Sequence, residues 1–194
     1  MDIFQNHLVD WLILLAILGM ALYIMKIVGE EHSSFKDESY EVRFSNLSLM
    51  IPNWWSITNQ SPTSLTFERT DTRYDWYAKF TYLPDHQNLE MTKLLELKLD
   101  QEEIEFDIDV VFETDSRVLF RDDKIQEHFQ EIIRVEGQGS QSVTERIYYD
   151  LYIMRGLDDA GYFVFESKSS ILNGLVEGPF FEESLSELSF IHES

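Results

Sequence analysis

The hydrophobic pattern divides the chain into one apolar block and a longer region that alternates. Leu8–Val28 (LVDWLILLAILGMALYIMKIV) is apolar on every side of a helix, with only Asp10 and Lys26 charged, both near its ends. Trp11–Met25 is uninterrupted, and its flanks bring the stretch to about 20 residues, the length needed to cross a hydrocarbon core. Asp10 and Lys26 can snorkel to the interfaces, where Trp11 and Tyr23 also sit. A buried helix of a soluble domain is the other option, and the apolar surface running all the way round argues against it. The preceding MDIFQNHLVD has no Lys or Arg, and the following YIMKIVGEEH offers no small-residue cleavage site. The pattern therefore predicts an uncleaved single-pass anchor in the cell membrane rather than a signal peptide. Lys26 and Lys36 favour a cytoplasmic domain by the positive-inside rule, without deciding the side.

Residues 29–39 (GEEHSSFKDES) are polar and read as a juxtamembrane linker. From there the period falls to two. Tyr40–Phe44, Leu47–Ile51 (stopped by Pro52), Ser64–Arg69 and Trp76–Leu83 read as successive strands with short connections, hence antiparallel neighbours. Trp55, just past Pro52, is expected to lie over the core edge rather than to stack on a ligand. Met91, Leu94, Leu95 and Lys98 switch to helical spacing, which predicts a helix from Leu89 to about Glu103, capped by Asn88, with Lys98 snorkelling at its end. Ile104–Glu113 returns to alternation as one strand with Glu105, Asp107 and Asp109 on its wet face. Arg117–Arg121 reads as a short strand, and Ile125–Arg134 fits helix or strand. Glu145–Arg155 and Tyr162–Ile171 flank GLDDAG as a hairpin. Gly178-Pro179 opens a last helix, with Pro179 in its first turn and Phe180, Phe181, Leu185 and Leu188 on its apolar face.

This order predicts an α+β domain, an antiparallel sheet flanked by helices, over 40–194, preceded by the tail and anchor at 1–28 and the linker at 29–39. The composition supports a real core: 44% of the 194 residues are hydrophobic, with 14 Phe and 9 Tyr. Charge changes the picture more. Asp and Glu total 36 against 15 Lys and Arg, a net charge of -21. Such a surface repels nucleic-acid phosphates and anionic headgroups, so no nucleic-acid partner is expected. It suits basic protein partners, cations, or solubility alone. The absence of cysteine removes thiolate nucleophiles, disulfides, zinc–thiolate sites and a lipidated N-terminal cysteine.

Candidate chemistry is sparse. The acidic run Asp100–Asp115 could gather a hard cation, with Glu105, Asp107 and Asp109 as metal-ligating candidates. It lacks the glycine of an EF-hand loop, and a solvated face is the simpler reading. Asp158 and Asp159 belong first to a turn. Glu166, Ser167, Lys168, Ser169 and Ser170 lack the surroundings of a nucleophile, and Glu166 and Lys168 read as an exposed pair on one strand face. His7, His32, His86, His128 and His192 are not paired at ligand spacing, and neither a P-loop nor GxGxxG occurs. No catalytic residue and no organic cofactor are expected, a divalent cation being the one candidate.

LSLMIPNWWSI, with a strand ending in proline and Trp55 three residues on, is followed by SLTFER, WYAKFTYL, a middle helix, YYDLYIMR, FVFESKSS and a closing GPFFEESLSELSF. This series over roughly Tyr40–Ile191 resembles the PsbP-like domain, named for an accessory protein of photosystem II. Related domains occur in bacterial lipoproteins and in a nuclear-import factor that binds a small GTPase. The chain departs from bacterial members in lacking the lipobox cysteine and carrying an apolar helix instead. The resemblance implies an α/β/α sandwich and a non-enzymatic binding or assembly role, with no site residue carried over. Two functions are thus expected of the sequence: a membrane-tethered domain that binds a membrane protein partner, or a cation- or ligand-responsive sensor built on 100–115.

Overall fold

The computed structural model describes residues 11–23, 26, 35, 37–70, 75–84, 89–115, 129–142, 144–157 and 161–191. Contacts divide the chain into two units, Met1–Ser39 and Tyr40–Ser194. In the first, residues 11–23 form a helix, α1, and every side chain in it is exposed. No helix of the described residues is long and apolar enough to cross a membrane. Residues 8–10, 24, 25, 27 and 28 of the expected span lie outside the described residues.

The second unit is built on an eight-stranded antiparallel sheet in the order β3-β4-β5-β10-β9-β8-β6, with β7 also on β8. Its strands are β3 (Trp55–Ser61), β4 (Ser64–Arg69), β5 (Trp76–Leu83), β6 (Ile104–Phe106), β7 (Val111–Glu113), β8 (Phe129–Gln141), β9 (Glu145–Gly156) and β10 (Tyr162–Ser169). A second sheet joins β1 (Ser39–Phe44), β2 (Leu47–Pro52) and β11 (Ser189–Phe190) in the order β1-β2-β11. Helix α2 (Met91–Gln101) covers one face of the large sheet, and α3 (Ile171–Ser186) covers the other beside β2. The fold is the expected α+β type, with one addition: a small sheet shares the α3 layer.

Both faces of the central strands are buried, so β9 and β10 read as nearly continuous apolar runs rather than alternating ones. In β10, Phe163 and Phe165 point into the α3-side core with Trp55, Phe67, Phe80 and Phe181. Tyr162 and Val164 point into the α2-side core with Met91, Ile133, Leu151 and Ile153.

Four sequence readings need correction. Residues 55–61 form strand β3, and Trp55 is its buried first residue rather than a cover on the core edge. Helix α2 starts at Met91 behind Glu90, while Asn88 lies outside the described residues. The strand expected over 104–113 is two strands on β8: residues 107–110 span only Gly137 and Gln138 opposite, so the chain bulges and leaves Ile108 fully exposed. Helix α3 begins at Ile171, so Ile171 leaves the hairpin and Pro179 sits inside the helix. Proline there removes the amide that would bond the carbonyl of Leu175. The segment 129–134 is strand, while 117–121 and 125–128 lie outside the described residues.

Candidate functional site

Strand β10 carries the polar run ESKSS through the middle of the sheet, and alternation sends it both ways. Glu166 faces α2 and is 1% exposed. Tyr149 on β9 donates its Oη to one carboxylate oxygen at 2.6 Å, and Lys98 Nζ lies 2.9 Å from the other. Lys98 also pairs with Glu102 at 3.0 Å, and Lys79 stands 3.8 Å from Glu166. Lys98 therefore turns inward rather than snorkelling. Burial pulls its pKa down, but Glu166 and Glu102 more than offset this and hold it raised. Burial, then the Glu166 charge, pushes the Tyr149 phenol well up. Lys168 donates to Gln141 at 2.9 Å and lies over the Tyr77 ring at 5.1 Å. Glu166 and Lys168 thus share a face as expected, but Glu166 is buried and bonded elsewhere, not half of an exposed pair.

The α3 face holds two further clusters. Arg134 on β8 forks onto Asp150 of β9, Nε to Oδ1 at 3.1 Å and an Nη to Oδ2 at 3.0 Å. The same guanidinium reaches Glu136 at 2.8 Å and Glu182 of α3 at 3.5 Å, and stacks 4.9 Å over Tyr152. One cation faces three carboxylates. Asp150 is fully buried, and desolvation lifts its pKa to about 7 despite Arg134. Tyr148 donates to Glu136, and burial followed by that hydrogen bond raises its pKa. Nearer the start of α3, buried Glu177 accepts from Trp55 Nε1 at 2.9 Å and from Arg69. Each cluster joins a helix to the sheet: Lys98 of α2 to Glu166, and Glu182 and Glu177 of α3 to Arg134 and Arg69. A cleft of about 530 Å³ lies elsewhere, lined among others by Glu90, Thr92, Glu131 and Arg155, and contains no member of the three clusters.

Helix α3 is inside-out over its first half. Asn173, Gly174, Glu177 and Gly178 face the sheet, while Leu172 (76%), Leu175 (61%) and Val176 (55%) face out. Gly174 explains the orientation. A Cβ there would stand 2.4 Å from Cβ and the ring of Tyr148, so the backbone can lie this close only without a side chain. Gly174→Ala should destabilise the domain by about 1–3 kcal/mol through overpacking, read from chemical denaturation of the purified chain. An unchanged midpoint would mean that the helix does not sit this close.

The predicted metal candidates are not gathered. Glu105 is exposed on β6, Asp109 is exposed in the bulge, and Asp107 is held by Arg146 at 2.9 Å. That hydrogen bond lowers the Asp107 pKa. Among the described residues, groups of three His, Asp or Glu placed to hold a metal ion do not occur. All five histidines, with Asp158 and Asp159, lie outside the described residues. Sequence reading passed over Arg134, Asp150 and Glu177. The available signal was a charge set among apolar neighbours on strands buried on both faces, as in IIRVE and YYDLYIM.

No family model and no curated protein matches the chain. Solved structures that resemble it include the Ran-binding protein Mog1p of Saccharomyces cerevisiae, at 7% identity over 79% of this chain and 95% of that one, with a TM-score of 0.46. Another is cyanobacterial PsbP (CyanoP) from Synechocystis sp. PCC 6803, at 11% identity over 78% of this chain and 91% of that one, with a TM-score of 0.46. A protein of unknown function from Pseudomonas aeruginosa shows 9% identity over 78% and 96%, also at 0.46. At this level each is a distant likeness only.

Proposed function

We propose that the chain is a membrane-tethered, non-catalytic accessory or assembly domain that binds a partner protein at the bilayer. The observation that carries this reading is α1, whose apolar side chains from Trp11 to Tyr23 are all exposed, a surface that water does not favour and a bilayer would cover. Tethering raises the local concentration of the domain near membrane proteins, so a modest affinity is enough.

The test is affinity purification of the tagged full chain from gently solubilised membranes. The expected result is that the chain fractionates with membranes and brings down the same membrane proteins in repeated preparations. A chain that stays in the soluble fraction, or emerges with background proteins alone, rejects the proposal. The alternative, a cation-responsive sensor using 100–115, predicts a higher melting temperature in millimolar calcium.

A further inference from the structure

From the inside-out half of α3 we propose that Leu172, Leu175, Val176 and Pro179 form a docking stripe for a partner helix bearing an apolar stripe and, at one end, Lys or Arg. This rests on the partner-binding function proposed above and names its surface.

The four positions follow i, i+3, i+4 and i+7, one face of a helix, and all are exposed. Their exposure is imposed from beneath. Rolling α3 to bury the leucines would drive Gly174 away from Tyr148 and pull Glu177 out of its bonds to Trp55 and Arg69. A helix that keeps polar and glycine residues against the sheet at the cost of wet leucines presents a ready contact surface, of the kind an amphipathic partner helix reads as spaced anchors.

Charge selects the partner. Helix α3 contains no Lys or Arg; its last turns carry exposed Glu182, and exposed Glu187 follows at the C-cap, at the negative end of the helix dipole. Glu182 is 55% exposed at the end of the stripe. Arg69 beneath the helix is tied to Glu177, and Arg134 is shared by Asp150, Glu136 and Glu182, so one cation faces three carboxylates there and the negative charge is in excess. An acidic helix or an anionic lipid surface is repelled here, whereas a helix with cations at the end that meets Glu182 gains from charge as well as from apolar contact.

The probe is a fluorescent synthetic helix with Leu at i, i+3, i+4 and i+7 and Lys on its flanks, titrated against the full chain in phosphatidylcholine nanodiscs. A Leu/Glu helix of the same spacing is the control. The expected result is binding of the Leu/Lys helix alone, weakened about tenfold or more by Leu175→Glu with Val176→Glu. Glu182→Gln should weaken it less and reduce its salt dependence. All three substitutions are at exposed positions, Glu182 also touching Arg134, so unchanged thermal melting of each variant shows that the fold survives. Equal binding to the double variant overturns the proposal, as does equal binding of the Leu/Glu helix or no binding at all. A sedimentation change from dimer to monomer in the double variant also overturns it, since a second copy then covers the stripe. The same double variant in the affinity purification separates the two readings. If wild type and variant retain the same membrane partners, the docking stripe fails and partner binding stands; if wild type retains none, partner binding itself fails.

Discussion

Arg134→Met should cost about 3–5 kcal/mol of folding stability, the loss typical when one partner of a buried ion pair is removed. The reason is local charge balance. Arg134 lies within reach of Asp150, Glu136 and Glu182, and it forks onto Asp150, which has no contact with solvent. Its removal leaves a buried carboxylate beside two others and an uncovered Tyr152 ring. The loss should depend on pH. Burial holds Asp150 at about 7, while an unfolded aspartate titrates near ~3.9. The folded state therefore binds this proton more tightly. The stability it contributes is complete below ~3.9 and is lost as pH rises through about 7. Without the guanidinium, and with Glu136 and Glu182 still facing it, the Asp150 pKa moves higher and the loss continues into alkaline solution. Urea melts at pH 6 and pH 8.5 should show the gap between wild type and variant widening at the higher pH. An equal gap at both would mean that Asp150 is not the group left uncompensated.

Lys98→Met should cost about 3 kcal/mol, at the lower end of the same range, because the lysine side chain retains some contact with water. Glu166 would keep Tyr149 and a distant Lys79, but would lose its close cation. Lys98→Met combined with Glu166→Gln should recover most of that loss, since the amide still accepts from Tyr149 and carries no charge. A double-mutant cycle on denaturation midpoints reads the coupling. A double variant no more stable than Lys98→Met would show that packing of the lysine stem, not its charge, holds α2 to the sheet.

Strands whose two faces differ were legible in the chain. Ser64–Arg69 and Trp76–Leu83 occur where their alternation places them, and the hairpin of β9 and β10 forms with Tyr162 opposite Arg155. Local pattern was insufficient where pairing supplied the order. Residues 55–61 are polar beyond Trp55 except for the exposed Ile57, yet they form a strand because β4 offers them an edge. The division of 104–113 into two strands reflects the register of β8, which no residue of that segment encodes alone. The start of α3 was hidden because LNGLVEGP holds two glycines, an asparagine and a proline, all poor helix formers, and packing against Tyr148 favours the helix over their intrinsic preference.

By itself the sequence determined an acidic α+β domain rich in aromatics behind an apolar N-terminal helix, because composition and hydrophobic period act residue by residue. It also placed Glu166 and Lys168 on one strand face. Only the tertiary structure decided which charges are buried together. Lys98 meets Glu166 from a helix, Arg134 meets Asp150 across two strands, and Trp55 meets Glu177 from the far edge of the sheet to α3. The physical reason is that an ion pair in a low-dielectric interior depends on distances of a few ångströms between segments far apart in the chain. The outward stripe of α3 has the same origin: Leu172, Leu175 and Val176 face solvent because Gly174 and Glu177 are required underneath.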